Sequence, residues 1–266
     1  MSSHPEGNDR RAARGRRRGA GAKPRHGRSA ADSAPWIWGR HAVLAAIANP
    51  LRGAPVRLLA SPERAREAAA AGAEPEVMAG ADISRLVPQG AAHQGLALLA
   101  KPIEPFPLEA LARPRAGFIL VLDQVTDPQN VGAIFRSAAA LGARAIVLQD
   151  RHAPPLAGAL AKAAAGAIER VPHVRVVNLA RALDQLAEQG WRTVGLAADA
   201  DLLLADAIDD RPTALVLGSE GEGLRRLVAE HCDALARIPM PGGFESLNVS
   251  AAAAIALYEA ARPRQP

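Results

Sequence analysis

Apolar positions recur along this chain in two rhythms. From Gly117 onward, tight apolar runs alternate with longer stretches whose apolar residues repeat at helical spacing. The runs predict strands at Phe118–Leu122, Ala145–Leu148, Val174–Val177, Thr193–Leu196, Ala214–Leu217 and Ala236–Ile238. The helical spacing predicts Val131–Leu141, Leu156–Ala167, Leu179–Gln189, Leu224–Glu230 and Val249–Ala261. Strands that are apolar throughout and separated by helices predict a parallel sheet buried on both faces. In such sheets ligands bind outside the carboxyl ends of the strands.

The upstream stretch alternates on a smaller scale. Order is expected to begin at Trp36-Ile37-Trp38-Gly39. Arg40–Ile47 reads as a helix, Val56–Ala60 as a strand, Glu63–Ala71 as an Ala-rich helix, Ile83–Val87 as a second helix and Leu96–Leu99 as a strand. Lys101-Pro-Ile-Glu-Pro-Phe-Pro107, with Arg113-Pro114 beyond it, reads as a linker. The expected division is a tail over 1–35, a small α/β domain over 36–101, a linker over 102–115 and a larger α/β domain over 116–266.

Charge separates the tail from the rest. The whole chain carries +5, but residues 1–35 hold nine Arg/Lys against three Asp/Glu, leaving the remainder close to neutral. The tail lacks an apolar face and is rich in Gly, Ala and Pro, so disorder is expected. It reads equally as a phosphate-seeking arm or as a solubilising extension, with a transit peptide as a lesser option. Aromatics make up 3% of the chain, which excludes base stacking as a general binding mode. The single Cys232 excludes an internal disulfide and a cysteine-cluster metal site, and fits a cytoplasmic location. No apolar run approaches the roughly 18 residues needed to span a bilayer, and no secretory signal opens the chain.

Three loops carry the candidate chemistry. The first, Asp123-Gln-Val-Thr-Asp127-Pro-Gln-Asn130-Val-Gly132, leads into a helix that carries Arg136, with Asn130 expected as its cap. A helix start with a cation nearby suits a phosphodiester or a developing oxyanion; a plain cap and a solvated arginine fit as well. The second, Gly218-Ser219-Glu220-Gly221-Glu222-Gly223, has neither the dinucleotide nor the P-loop spacing. Its backbone remains able to wrap an adenosine, while Glu220 and Glu222 also suit a helix start for dipole reasons alone. The third, Ile238-Pro239-Met240-Pro-Gly-Gly-Phe-Glu-Ser246-Leu247-Asn248, ends in two good N-caps.

Together and in this order the loops resemble the three motifs of the SpoU (TrmH) branch of the SPOUT RNA methyltransferases, over residues 117–262. Trp38-Gly39-Arg40-His41 and His93-Gln94-Gly95 resemble the L30e-like domain that precedes the catalytic domain in the ribosomal-RNA members. Ala165-Gly166-Ala-Ile-Glu169 and Gly195-Leu-Ala-Ala-Asp199 are similar to the same subgroup, although Ala165 stands where Ser is more usual. The resemblance implies an α/β fold with a C-terminal SPOUT domain, a parallel sheet flanked by helices and closed by a trefoil knot. It implies a homodimer that binds S-adenosyl-L-methionine on Gly218, Ile238 and Leu247, with Met240, Pro239 and Gly221 nearby, and needs no metal. It implies 2′-O-methylation of a guanosine in 23S ribosomal RNA. Arg136 would be the catalytic residue, positioned with the cofactor and nucleotide by Asn130, Glu220, Ser246 and Asn248. Arg40, His41 and His93 are further candidates for RNA capture. DNA, lacking the 2′-hydroxyl, is not an expected substrate. Transfer-RNA guanosine methylation and a non-catalytic RNA-binding protein of the same fold stay open, whereas a dinucleotide-dependent enzyme is disfavoured by the missing fingerprint.

Overall fold

A computed structural model describes residues 35–243 and 246–262. The Arg-rich tail expected over 1–35 thus lies outside the described residues except for its last position. The chain builds two sheets. β1 (Trp36–Trp38), β2 (Arg57–Ala60), β3 (Glu76–Val77) and β4 (Leu96–Leu99) pair in the order β1-β4-β2-β3, antiparallel except for β2 with β3. Helices α1 (Arg40–Ala48), α2 (Pro62–Ala70) and α3 (Gly80–Leu86) connect these strands.

After a short α4 (Leu108–Leu111), the larger unit runs β5 (Phe118–Leu122), α5 (Pro128–Leu141), β6 (Ile146–Gln149), α6 (Gly158–Ala164), β7 (His173–Val176), α7 (Leu179–Glu188), β8 (Arg192–Leu196), β9 (Leu202–Leu203), α8 (Leu204–Ala207), β10 (Thr213–Leu217), α9 (Arg226–Glu230), β11 (Ala234–Arg237) and α10 (Val249–Ala261). Its seven strands are all parallel, in the order β7-β6-β5-β10-β8-β11-β9.

The expectation of a sheet buried on both faces is met residue by residue. Side chains alternate across a strand, so Leu120 and Leu122 of β5 join one core with Ile146, Leu148, Leu215 and Leu217. Their neighbours Ile119 and Val121 join a second core with Val147, Val216, Leu183 and Trp191. The first core continues without a break into the smaller unit, where Ile37, Leu96 and Leu98 belong to it. Residues 102–115 are also packed: Ile103, Leu108 and Ala112 are buried, and Trp191 Nε1 donates to the Ala112 carbonyl at 3.0 Å.

Two local expectations need correction. Asn130 does not cap α5. Asp127 does, accepting from the Asn130 N–H at 2.9 Å, because Pro128 is suited to the first helical position and starts the helix earlier. The helix expected over Leu156–Ala167 is cut short, since Ala165 and Gly166 adopt left-handed conformations and only a 3-10 turn, Ala167–Glu169, follows. Gly166 lies hard against α1; a Cβ there would stand 2.8 Å from the Ala45 Cβ.

A buried ion pair joins the two units at that turn. Glu169 takes the Arg52 guanidinium at 2.7 Å, with side chains 6% and 2% exposed, and accepts from Asn49 Nδ2 at 2.7 Å. Arg52 also donates to the Lys101 carbonyl at 2.8 Å, so both charges are satisfied, the condition under which a buried pair is tolerated. Nearby, His173 is 2% exposed. Burial, followed by the charges of Arg175 and Arg52, pushes its pKa down from the usual 6.5 to about 4.

The unfolded chain therefore takes this proton before the folded chain does, and the stability it contributes is full above about pH 6.5 and lost as pH falls toward 4. The expected loss through this residue is about 2 kcal/mol between pH 7 and pH 5. Urea titration of the protein and of His173→Gln at both pH values checks this. The variant is expected to lose less stability, and an equal loss in both proteins would contradict it.

Candidate active site at the carboxyl edge of the parallel sheet

All three loops leave the carboxyl ends of β5, β10 and β11. The second loop is a tight turn in which Ser219 and Gly223 exchange backbone hydrogen bonds at 3.0 and 3.1 Å. Only glycine fits at its first position, since a Cβ on Gly218 would stand 2.0 Å from the Gly223 carbonyl carbon. The turn is tied to the first loop by Asp123, which is fully buried. Its carboxylate accepts from Arg225 Nε at 2.8 Å and from the Arg225 N–H at 3.0 Å. Neither residue was among the expected site residues. Asp123 follows an apolar run, as many loop residues do, and no local pattern pairs it with a position 102 residues away.

The three loops meet at one carboxylate. Glu220 Oε1 accepts from Asn130 Nδ2 and from Asn248 Nδ2, each at 2.7 Å, and Asn248 Nδ2 also reaches Asn130 Oδ1 at 3.1 Å. A carboxylate makes each of these a charge-assisted bond. Glu220 is therefore held by two amides rather than by a helix dipole, and α9 begins only at Arg226. The other end of Asn248 caps α10: its Oδ1 accepts from the Ser250 N–H at 2.9 Å and the Ser250 hydroxyl at 2.6 Å. One side chain thus orders the helix start and closes the triangle.

Ser246 and Leu247 are exposed beside Asn248, and Ser246 makes no hydrogen bond among the described residues. Ile238 is partly buried against the first core, with Pro239 and Met240 following it toward solvent. Gly218 and Gly221 stand on the turn itself. The cofactor candidates therefore gather at the ends of β10 and β11.

Arg136 is placed differently. It lies six residues beyond Asn130, about 9 Å further along α5 and on another side of the helix. Its side chain is exposed and makes no hydrogen bond or ion pair among the described residues. The Asn130–Glu220–Asn248 triangle does not touch it. Arg136 instead lines a groove of about 690 Å³ shared with Arg40, His41 and Arg170. His93, the remaining RNA candidate, contacts Ser84 and the Gly95 N–H. Gly132 has a packing role, since a Cβ there would meet the Leu160 carbonyl at 2.6 Å.

A parallel sheet whose Gly-rich carboxyl edge gathers Asn, Glu and Asn on three loops defines a class. The model of the SpoU rRNA Methylase family matches residues 117–258, and the chain belongs to that family. It is 46% identical over 180 residues to the 23S rRNA (guanosine-2′-O-)-methyltransferase RlmB of Photorhabdus laumondii, covering 66% of this chain and 74% of the relative. The RlmB of Escherichia coli K12 is 44% identical over 182 residues with the same coverage. Among solved structures, the SpoU methyltransferase AviRb of Streptomyces viridochromogenes, in complex with the cofactor AdoMet, is 28% identical. It aligns over 85% of this chain and 88% of its own with a TM-score of 0.71.

The crowding at Gly218 has a measurable cost. Gly218→Ala is expected to destabilise the fold by about 1–3 kcal/mol in chemical denaturation. Gly242→Ala, whose Cβ would meet nothing within 4 Å, serves as the control and should be near neutral. Equal effects would show that the turn relaxes freely.

Proposed function

We propose that the chain is an S-adenosylmethionine-dependent 2′-O-ribose methyltransferase acting on a guanosine of 23S ribosomal RNA in the cytoplasm. The observation that carries this reading is the three-loop triangle on Glu220, built from the motif residues of the family. The relatives named above carry the same activity in their names.

The chemistry of the sheet edge fits the cofactor. An adenosine needs apolar walls and backbone hydrogen bonds. Gly218, Gly221, Ile238, Pro239, Met240 and Leu247 offer these and add no charge that would repel a sulfonium. When bound, S-adenosylmethionine supplies an electrophilic methyl group, and the ribose 2′-oxygen gains it as the C–S bond breaks. The chain's own task is then to hold that oxygen in line and to stabilise it as its proton leaves to solvent water. A guanidinium offers five N–H donors and no acceptor, so Arg136 serves as an electrostatic stabiliser and not as a base. Its side chain has no partner among the described residues and is available to an incoming RNA oxygen. No metal enters this chemistry, and DNA offers no 2′-hydroxyl to methylate.

The reading extends to a homodimer. The last helix presents Ala251, Ile255 and Tyr258 along one exposed stripe, with Ile255 42% and Tyr258 58% exposed, and Leu247 is exposed just before its cap. An apolar face of that kind favours a second copy. The implied trefoil knot belongs to the same proposal, supported by a strand order that lays β10 between β5 and β8 and β11 on the far side of β8. RNA recruitment by the 36–101 unit is likewise proposed, on the strength of the groove it shares with Arg136.

Two tests follow. Arg136→Ala is expected to abolish methyl transfer to unmodified 23S rRNA while leaving S-adenosylmethionine affinity within a few-fold; turnover at the normal rate would remove Arg136 from the mechanism. The double variant Ile255→Glu, Tyr258→Glu is expected to sediment at half the mass of the parent protein, and an unchanged mass would place the dimer contact elsewhere.

A further inference from the structure

The groove between the two units has a composition that the three loops do not explain. Arg40 and His41 enter it from α1, Arg136 from α5 and Arg170 from the end of the 3-10 turn. Its walls are small and apolar, with Ala139, Ala140 and Ala164 among them, and no carboxylate lines it. Arg40 is already paired with Glu67. The side chains of Arg136 and Arg170 have no hydrogen bond or ion pair among the described residues. Two guanidinium groups without side-chain partners among the described residues therefore line one groove, where both can donate to a shared anion.

The groove is also built rather than incidental. Glu169, the residue before Arg170, is the buried anchor held by Arg52 and Asn49. Gly166, three residues earlier, meets α1 so closely that a Cβ would stand 3.2 Å from the His41 carbonyl. The backbone that carries Arg170 is thus fixed against the helix that carries Arg40 and His41. The spacing of the groove is set by packing between the units.

We infer that this groove is a phosphodiester subsite, in which Arg170 grips an RNA backbone phosphate adjoining the nucleotide presented to Arg136. The inference rests on the RNA-methyltransferase reading and names the surface that positions its substrate. Guanidinium forks match phosphate oxygens with two parallel bonds. The alanine walls accept a ribose or base face without competing hydrogen bonds. Both units of one chain supply the contacts, so the subsite is complete within a single protomer.

The test measures binding of unmodified 23S rRNA transcript by the full chain over a series of KCl concentrations. Arg170→Ala is expected to weaken binding about tenfold and to lower the slope of log affinity against log salt by about 1, one phosphate contact's worth. KM for the transcript should rise with kcat within twofold, and S-adenosylmethionine affinity should be unchanged. Arg170→Lys, which keeps the charge, should restore the salt slope and part of the affinity. An unchanged slope together with an affinity within twofold of the parent in Arg170→Ala would overturn the subsite, even if methyl transfer proceeds. If instead Arg170 governs RNA binding but no methyl group is transferred, the subsite stands and the enzymatic reading falls.

Discussion

The architecture of the candidate active site depends on one carboxylate. Glu220 stands on a turn after β10 and accepts amide hydrogens from loops that follow β5 and β11. Its donors lie 90 residues before it and 28 after it in the chain. Without this acceptor, the two asparagine amides would lose their common partner. The same Asn248 that reaches Glu220 also caps α10, so the order of the third loop and of the last helix share one side chain. The Ser219–Gly223 backbone pair and the contact of Arg225 with the buried Asp123 hold the turn in place.

A second constraint places the cations. The core shared by the two sheets and the buried Arg52–Glu169 pair fix the smaller unit against α6 and the turn after it. That arrangement separates the molecule's chemistry into two regions. Backbone turns and apolar residues gather at the sheet edge, suited to a neutral adenosine and a sulfonium. The Arg136 and Arg170 guanidinium groups, without side-chain partners among the described residues, line the groove together with Arg40 and suit a phosphate. Arg136 rises from the helix whose first turn carries Asn130, and so α5 spans both regions.

Much of the larger unit was legible in the sequence because its strands are apolar on both faces. Phe118–Leu122 and Val249–Ala261 were read with the bounds they have, and α7 differs by one residue at its end. Short edge strands were not legible: Glu76–Val77 and Leu202–Leu203 are two residues each and form only through pairing with distant neighbours. The Ala-rich run ending at Ala167 looked helical because alanine favours helix; its break at Ala165 and Gly166 answers to the approach of α1, a tertiary cause. Each motif loop alone had an ordinary structural explanation. Their assignment came from their order, and the hydrogen bonds that unite them lie between residues too far apart for any periodicity to report. Glu169 stood in a stretch similar to the family's ribosomal-RNA subgroup, but its role as an anchor was not legible, because it meets its partner Arg52 across 117 residues.

The triangle on Glu220 couples three loops into one edge, proposed to bind the methyl donor. A double-mutant cycle on S-adenosylmethionine affinity, using Asn130→Ala, Asn248→Ala and both together, measures that coupling by calorimetric titration. The account predicts that the second substitution adds little once the first has been made, with a coupling energy of about 1 kcal/mol or more. Strictly additive losses, or affinities that none of the substitutions changes, would contradict it.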